Sequence, residues 1–194
     1  ARVRYAYFPI RGIISALAVM RDGGAIEVTT VGDEGMVYLP SLLDSDTAMH
    51  RIIVQGEGEA IQVEVDWLRA ELKRNDHLRA LVNRYHLAYM LDLSQTIACN
   101  GLHTLEKRCC RWLLLSQTRM KSNELPFTHE FLSMMLGVRR PSVTDVLQSL
   151  QERGFISAQR GKIVVLDREG LERTSCECYR TVRDEFEKIL GVPA

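Results

Sequence analysis

The sequence predicts an α+β chain in which short strands come first and helices follow. Three observations carry this reading. Residues 1–65 hold short apolar runs cut by turn residues, which is the pattern of strands. From Leu78 the apolar spacing becomes helical and stays so to Asn100-Gly101. Beyond Leu125, two brief helical patterns are followed by two short strands around a basic turn. The chain has 194 residues, 46% hydrophobic and 26% charged, which suits one large or two small ordered domains and argues against disorder. No apolar run approaches the roughly 20 residues that span a bilayer, so no membrane partner is expected.

Each element follows in order. Gly12 to Val19 and Ala25 to Val31 flank Asp22-Gly23-Gly24, a hairpin signal. Gly32-Asp33-Glu34-Gly35 closes the second run, and Gly56-Glu57-Gly58 separates Arg51–Gln55 from Ala60–Val65. Regularly spaced short strands predict a small sandwich or barrel. Asp66 is expected to cap a short helix through Trp67, Leu68 and Leu72, and Asn75 or Asp76 a longer one. The longer helix would run roughly 25 residues, about 37 Å. It is apolar around more than half its circumference, so it needs two partners. One is its own domain; the other is a second subunit or further parts of the same chain. Thr104 starts the next helix, with Leu105, Cys109, Trp112, Leu113 and Ser116 on its repeat. A last helix is expected over about Glu169 to Leu190, packing back through Leu171, Tyr179, Val182, Phe186 and Leu190.

The informative segment is Leu125 to Leu166. Thr128 is placed to cap a helix of two turns, Gly137 to end it, and Arg140-Pro141 to begin another. Val143, Val146, Leu147 and Leu150 share one face of the second helix. That leaves Arg139, Arg140, Ser142, Thr144, Asp145 and Gln148 on the other. Helix, glycine turn, helix is the helix-turn-helix arrangement, whose second helix reads the DNA major groove. Phe155–Ala158 and Ile163–Leu166 then form a hairpin around Gln159-Arg160-Gly161-Lys162, a basic wing suited to phosphate. A hairpin of helices with a glycine turn also occurs in plain bundles. Charge separates the two readings. Residues 106–165 hold 10 Lys/Arg against 5 Asp/Glu, whereas residues 1–105 hold 10 against 13 and residues 166–194 hold 5 against 7. A basic stretch confined to the helix-turn-helix region is the footprint of a polyanion binder.

The five cysteines (Cys99, Cys109, Cys110, Cys176, Cys178) are odd in number and make no disulfide framework, which points to a reducing, cytoplasmic setting. Cys176-x-Cys178 has no second pair nearby in sequence and reads as a poor zinc site, so no metal is expected. The sequence lacks G-x-S-x-G, a P-loop, H-E-x-x-H and a helix-opening G-x-G-x-x-G. The carboxylate pairs Asp33/Glu34 and Asp44/Asp46 lie in loops, and no enzyme is predicted.

Taken together, the chain resembles the Crp/Fnr family of bacterial transcription regulators. The resemblance is most specific over Thr128 to Val165 and also covers Arg108-Cys109-Cys110-Arg111-Trp112-Leu113-Leu114. It implies a β-roll sensor of the cupin-like jelly-roll kind over 1–73, its first strands absent. It further implies a dimerisation helix over 74–103 and a C-terminal winged helix-turn-helix domain over 104–194. It implies a homodimer on a pseudo-palindromic double-stranded DNA site, in contact with RNA polymerase, with a recognition helix at about 140–153. Carried across residue by residue, Arg140 becomes the main guanine reader. Pro141 stands where the family often has an acidic base reader, and Asp145 where it often has Arg. Thr128, Arg139, Ser142, Arg160 and Lys162 match phosphate-contact positions, and Thr144 lies on the same exposed face.

The sensor departs from the family more. Gly32-Asp33-Glu34-Gly35 resembles the first half of a cyclic-nucleotide site. The phosphate-binding Arg position falls on Met49, with His50 and Arg51 beside it. Ser94 matches a base-contacting position, next to Leu93 where a polar residue is usual. No cofactor is therefore expected with certainty, and a cyclic nucleotide is disfavoured. Four thiolates for an iron–sulfur sensor are missing from the β half, and a haem sensor would need an axial ligand, for which His50, His77 and His86 are candidates. The alternative function is a dimeric interaction module that has lost specific DNA binding.

Overall fold

The computed structural model describes residues 2–43 and 47–191; the Asp44/Asp46 pair lies outside them. Strand β1 (Tyr5–Arg11) pairs antiparallel with β5 (Glu59–Glu64). Strands β2 (Ile14–Val19), β3 (Ala25–Val31) and β4 (Arg51–Val54) form a second sheet in the order β3-β2-β4. The expected hairpin is present: Val19 opposes Ala25 and Met20 N–H donates to Gly24 O at 2.7 Å. Gly23 supplies the positive φ, 89°, that the turn requires. The middle strand is the most buried, as a strand paired on both edges should be.

Helix α1 (Val65–Arg74) starts two residues earlier than expected. Glu64 is its N-cap and makes no side-chain cap, so Asp66 sits in the first turn instead. Its charge still suits the positive helix end. Helix α2 (Asp76–Leu102) is capped by Asn75, whose side chain accepts from Leu78 N–H at 3.0 Å. Its 27 residues span about 40 Å. It runs through Gly101 and stops at His103, which takes the extended backbone that ends it. Val82, Tyr85 and Ala88 face the β half, joining Val3, Ala6, Met36 and Leu39 in one core.

Helix α3 (Leu105–Met120) opens the second core. The short strand β6 (Glu124–Leu125) joins the wing strands β7 (Ile156–Gln159) and β8 (Lys162–Val165) in the order β6-β8-β7. Helices α4 (His129–Leu136) and α5 (Arg140–Glu152) bury Leu132, Met135, Val143, Leu147 and Leu150 against α3. Trp112 packs edge-on to Phe127 at 4.8 Å between centroids, and Phe127 stacks on Phe131 at 5.3 Å.

The single last helix expected from sequence is two. Helix α6 (Arg168–Thr174) ends at Ser175, whose extended backbone turns the chain before α7 (Cys178–Leu190) begins. Helix α6 contributes Leu171 to the core of α3, and α7 bridges the two cores: Tyr179 in its first turn packs with α3, whereas Val182 and Phe186 complete the core of α2 and the β half.

Candidate nucleic-acid interface and sensor junction

Thr128 Oγ1 accepts from Phe131 N–H at 3.0 Å and caps α4. Gly137 then closes α4 in the left-handed region, φ 65°. A side chain there would also collide: a Cβ would lie 2.5 Å from Ile26 Cδ1 of β3. The turn of the helix-turn-helix thus rests directly on the β2–β3 hairpin. Pro141 occupies the first turn of α5, where its missing N–H leaves no bond unmade.

Helix α5, the start of α4 and the wing enclose one concave polar surface. Among the predicted residues it gathers Thr128, Arg140, Thr144 and Arg160. Arg139, Pro141 and Asp145 are exposed beside it, and Ser142 is half-buried. Among the described residues no hydrogen bond or ion pair engages the guanidinium groups of Arg139, Arg140 or Arg160. Lys162 lies apart: its Nζ is 2.6 Å from Glu124 Oε2, and it lines a different cleft, with Gln55 and Gly56 of the β half. Thr144 is also occupied, donating to Arg140 O at 3.2 Å and meeting His129 Nδ1 at 2.9 Å. Sequence reasoning missed His129, Gln148 and Gln151 as lining residues. Gln148 was visible on the exposed face. Gln151, which accepts from Ala158 N–H at 2.7 Å and ties wing to helix, was not, because that contact depends on where the wing folds.

The predicted ligand residues of the β half are not gathered. Glu34 is buried and engaged: Arg119 Nη2 of α3 lies 2.8 Å from its Oε1, which also accepts from Gly32 N–H at 3.0 Å. Asp33 pairs with Lys121 at 2.7 Å. Gly35 is pressed against Tyr85, whose hydroxyl donates to Met36 O at 3.3 Å. Arg51 is exposed on β4 opposite Leu17, and Ser94 is exposed on α2, donating to Met90 O at 2.8 Å. Of these seven residues only His50 lines the apolar pocket between Val3, Ile14, Tyr38 and Tyr89. Burial there pushes its imidazole pKa down.

What sequence read as a ligand loop is built as a junction. Facing α3, Glu34 holds Arg119, Asp92 of α2 holds Arg111 at 3.1 Å, and Glu27 of β3 accepts from Trp112 Nε1 at 2.9 Å. Glu27 also accepts from Ser15 Oγ at 2.6 Å and Gln55 Nε2 at 3.0 Å. Its burial pushes the carboxyl pKa up to about 7, against the pull of the Ser15 and Trp112 hydrogen bonds.

The cysteine expectation also changes. Cys176-x-Cys178 does have partners, supplied by the fold from the end of α2: Cys99 and His103. The five cysteines are free. No helix of the described residues is long and apolar enough to cross a membrane.

Residues 107–174 match the family model of the Crp-like helix-turn-helix domain. No curated protein matches the chain by sequence. Among solved structures, a Crp/Fnr-family regulator from Eubacterium rectale is 22% identical with TM-score 0.71, covering 88% of this chain and 80% of that one. FixK2 from Bradyrhizobium japonicum is 14% identical with TM-score 0.77, covering 91% and 89%. The c-di-GMP-responsive global regulator CLP from Xanthomonas campestris is 19% identical with TM-score 0.68, covering 84% and 85%.

Proposed function

We propose, from a Crp-like helix-turn-helix domain carried on the fold of the Crp/Fnr transcription regulators, that this chain is a sequence-specific DNA-binding regulator acting as a homodimer. Residues 1–73 form the sensing half, 74–103 the dimerisation helix and 104–194 the DNA-binding part, with α7 returning to the first core. The observation that carries the reading is the concave surface of α5 and the wing, with Arg139, Arg140 and Arg160 on its floor and rim and engaged by no hydrogen bond or ion pair among the described residues. Exposed arginines without an ion-pair partner among the described residues, two at the head of α5 and one on the wing turn, suit phosphate and base edges. Arg140, in the first turn of α5, is the guanine reader; Arg139 and Arg160 hold phosphates.

The dimer reading rests on the outward face of α2. Leu87, Met90, Ser94, Ile97 and Gly101 are exposed and alternate by three and four residues, the spacing of a coiled-coil seam. Two copies paired there would present two recognition helices to half-sites roughly 34–36 Å apart. A signal reaching the β half would move the DNA-binding part through the Glu27, Glu34 and Asp92 contacts to α3. Because Glu34 is committed to Arg119, that signal is not expected to be a cyclic nucleotide bound in the family's usual way.

The test is selection of bound DNA from a random pool, then affinity against salt. An enriched inverted repeat is expected, with Arg140→Ala losing about 1–3 kcal/mol and relaxing one base position. No enrichment together with no salt slope would return the chain to the interaction-module reading.

A further inference from the structure

We propose that Cys99, His103, Cys176 and Cys178 bind a single zinc ion, which clamps the C-terminal end of α2 to the turn between α6 and α7. The four side chains come from two places far apart in sequence, yet their ligand atoms all lie within 4.8 Å of one another. Cys99 Sγ is 3.5 Å from Cys176 Sγ, and Cys178 Sγ is 3.4 Å from His103 Nδ1. Bonds of about 2.3 Å to sulfur and about 2.0 Å to nitrogen give a tetrahedron with edges of about 3.5–3.8 Å. Two of the cluster's edges already have those dimensions, and no pair of ligand atoms is more than 4.8 Å apart. It is too compact for a centre of several irons, whose thiolates must straddle the cluster. Three thiolates and one imidazole in tetrahedral reach select zinc among the common divalent ions.

The surroundings supply a second, independent observation. A metal-bound histidine commonly directs its other ring nitrogen at a carboxylate. His103 does this: Nδ1 faces the thiols while Nε2 lies 3.3 Å from Glu177 Oε1. That arrangement keeps the proton on Nε2 and leaves the Nδ1 lone pair for the ion. Gln95 Nε2 donates to Cys178 Sγ at 3.1 Å, the contact expected of a thiolate ligand. The three thiols are nearly without solvent contact, whereas an exposed charged site would need no such enclosure. On binding, each thiol releases its proton to solvent and His103 stays neutral, so the loaded site carries one net negative charge. Arg108 and Arg111, which line the cleft beside Cys99, offset it.

The local chain geometry explains why the site is there. Cys99 and His103 are four residues apart at the last turn of α2, on one side of the helix. The chain break at Ser175, which sequence periodicity did not show, turns Cys176 and Cys178 toward the same point.

The experiment uses the whole chain, purified under reducing, oxygen-free conditions with trace zinc. One zinc per chain by elemental analysis is expected. Replacement by cobalt(II) should give thiolate-to-cobalt charge-transfer bands and the intense visible bands of a tetrahedral ion. Chelation should lower the thermal midpoint of the wild-type chain, and added zinc should restore it, a readout that needs no variant to fold. Cys176→Ser should abolish the charge-transfer bands, and Glu177→Gln should keep them while weakening zinc about 10- to 100-fold. The proposal is overturned by sub-stoichiometric zinc with weak octahedral cobalt bands, by a thermal midpoint insensitive to chelation, by iron–sulfur absorption, or by a Cys99–Cys176 disulfide in the intact mass. None of these outcomes depends on DNA binding.

Discussion

Two groups of arginines share this molecule and do opposite things. Arg111 and Arg119 on α3 are buried, each against a carboxylate from the other half of the chain: Asp92 and Glu34. Arg139, Arg140 and Arg160 are exposed and engage no side chain among the described residues. The first group is shielded from water and salt, so its geometry is fixed and its rupture is severe. The second is solvated and costs little to keep unpaired, so it stays available for an external anion. Position in the fold, rather than residue type, decides which arginine is structural and which is left available.

Predictions that break or sharpen this contrast run from large to small. Glu34→Ala should destabilise the chain by about 3–5 kcal/mol, because Arg119 would remain buried without its carboxylate. Urea denaturation measures this, and a loss below about 1 kcal/mol would place the pair among ordinary surface bridges.

Glu27 gives the next effect. Burial raises its folded-state pKa to about 7 from the ordinary carboxyl value of 4.5, so the folded chain holds a proton that the unfolded chain releases. The sign is therefore a loss of stability as pH rises from about 4.5 to about 7, amounting to about 3 kcal/mol and constant above that range. Glu27→Gln should flatten this slope, so that the variant compares better with wild type at pH 8 than at pH 5. An unchanged slope would mean the carboxyl is not the titrating group.

The exposed group should respond in the other way. Arg139→Ala and Arg160→Ala are each expected to leave the denaturation midpoint within about 0.5 kcal/mol of wild type. Each should also weaken DNA binding uniformly across sequences and reduce the salt slope by about 1. A shift of base preference in either variant would move that residue from phosphate holder to base reader. Thr128→Ala, which removes the α4 cap, should cost about 1 kcal/mol of stability without altering base preference.

Local signals were legible in the sequence. Asp22-Gly23-Gly24 marked the β2–β3 hairpin, Gly137 the left-handed turn, and Pro141 with the Val143, Val146, Leu147 and Leu150 spacing marked α5. These depend on backbone conformation and on one helix face, both written within a few residues. What stayed hidden was long-range. Glu34 resembled a ligand residue because its neighbours along the chain fit that pattern, but its partner Arg119 is 85 positions away by numbering. The break at Ser175 left no glycine or proline to announce it. It redirects the chain so that α7 can lie across both cores, a long-range demand that no window of sequence expresses. Asp66, a good capping residue by type, lost that role to a strand that feeds directly into α1.

Helix α7 has a consequence for how the protein is made. Val182 and Phe186 fill a core whose other members lie between Val3 and Ala88. On the ribosome the strands and α2 emerge well before these two side chains exist, so the first half waits with one apolar side uncovered. Contacts of such sequence separation are slow to form because a long loop must close first. A chain that stopped after the wing strands would lack Leu171 and Tyr179 from one core and Val182 and Phe186 from the other. Neither half therefore closes its apolar interior until α6 and α7 have been laid down, and the two halves share the same last step of folding.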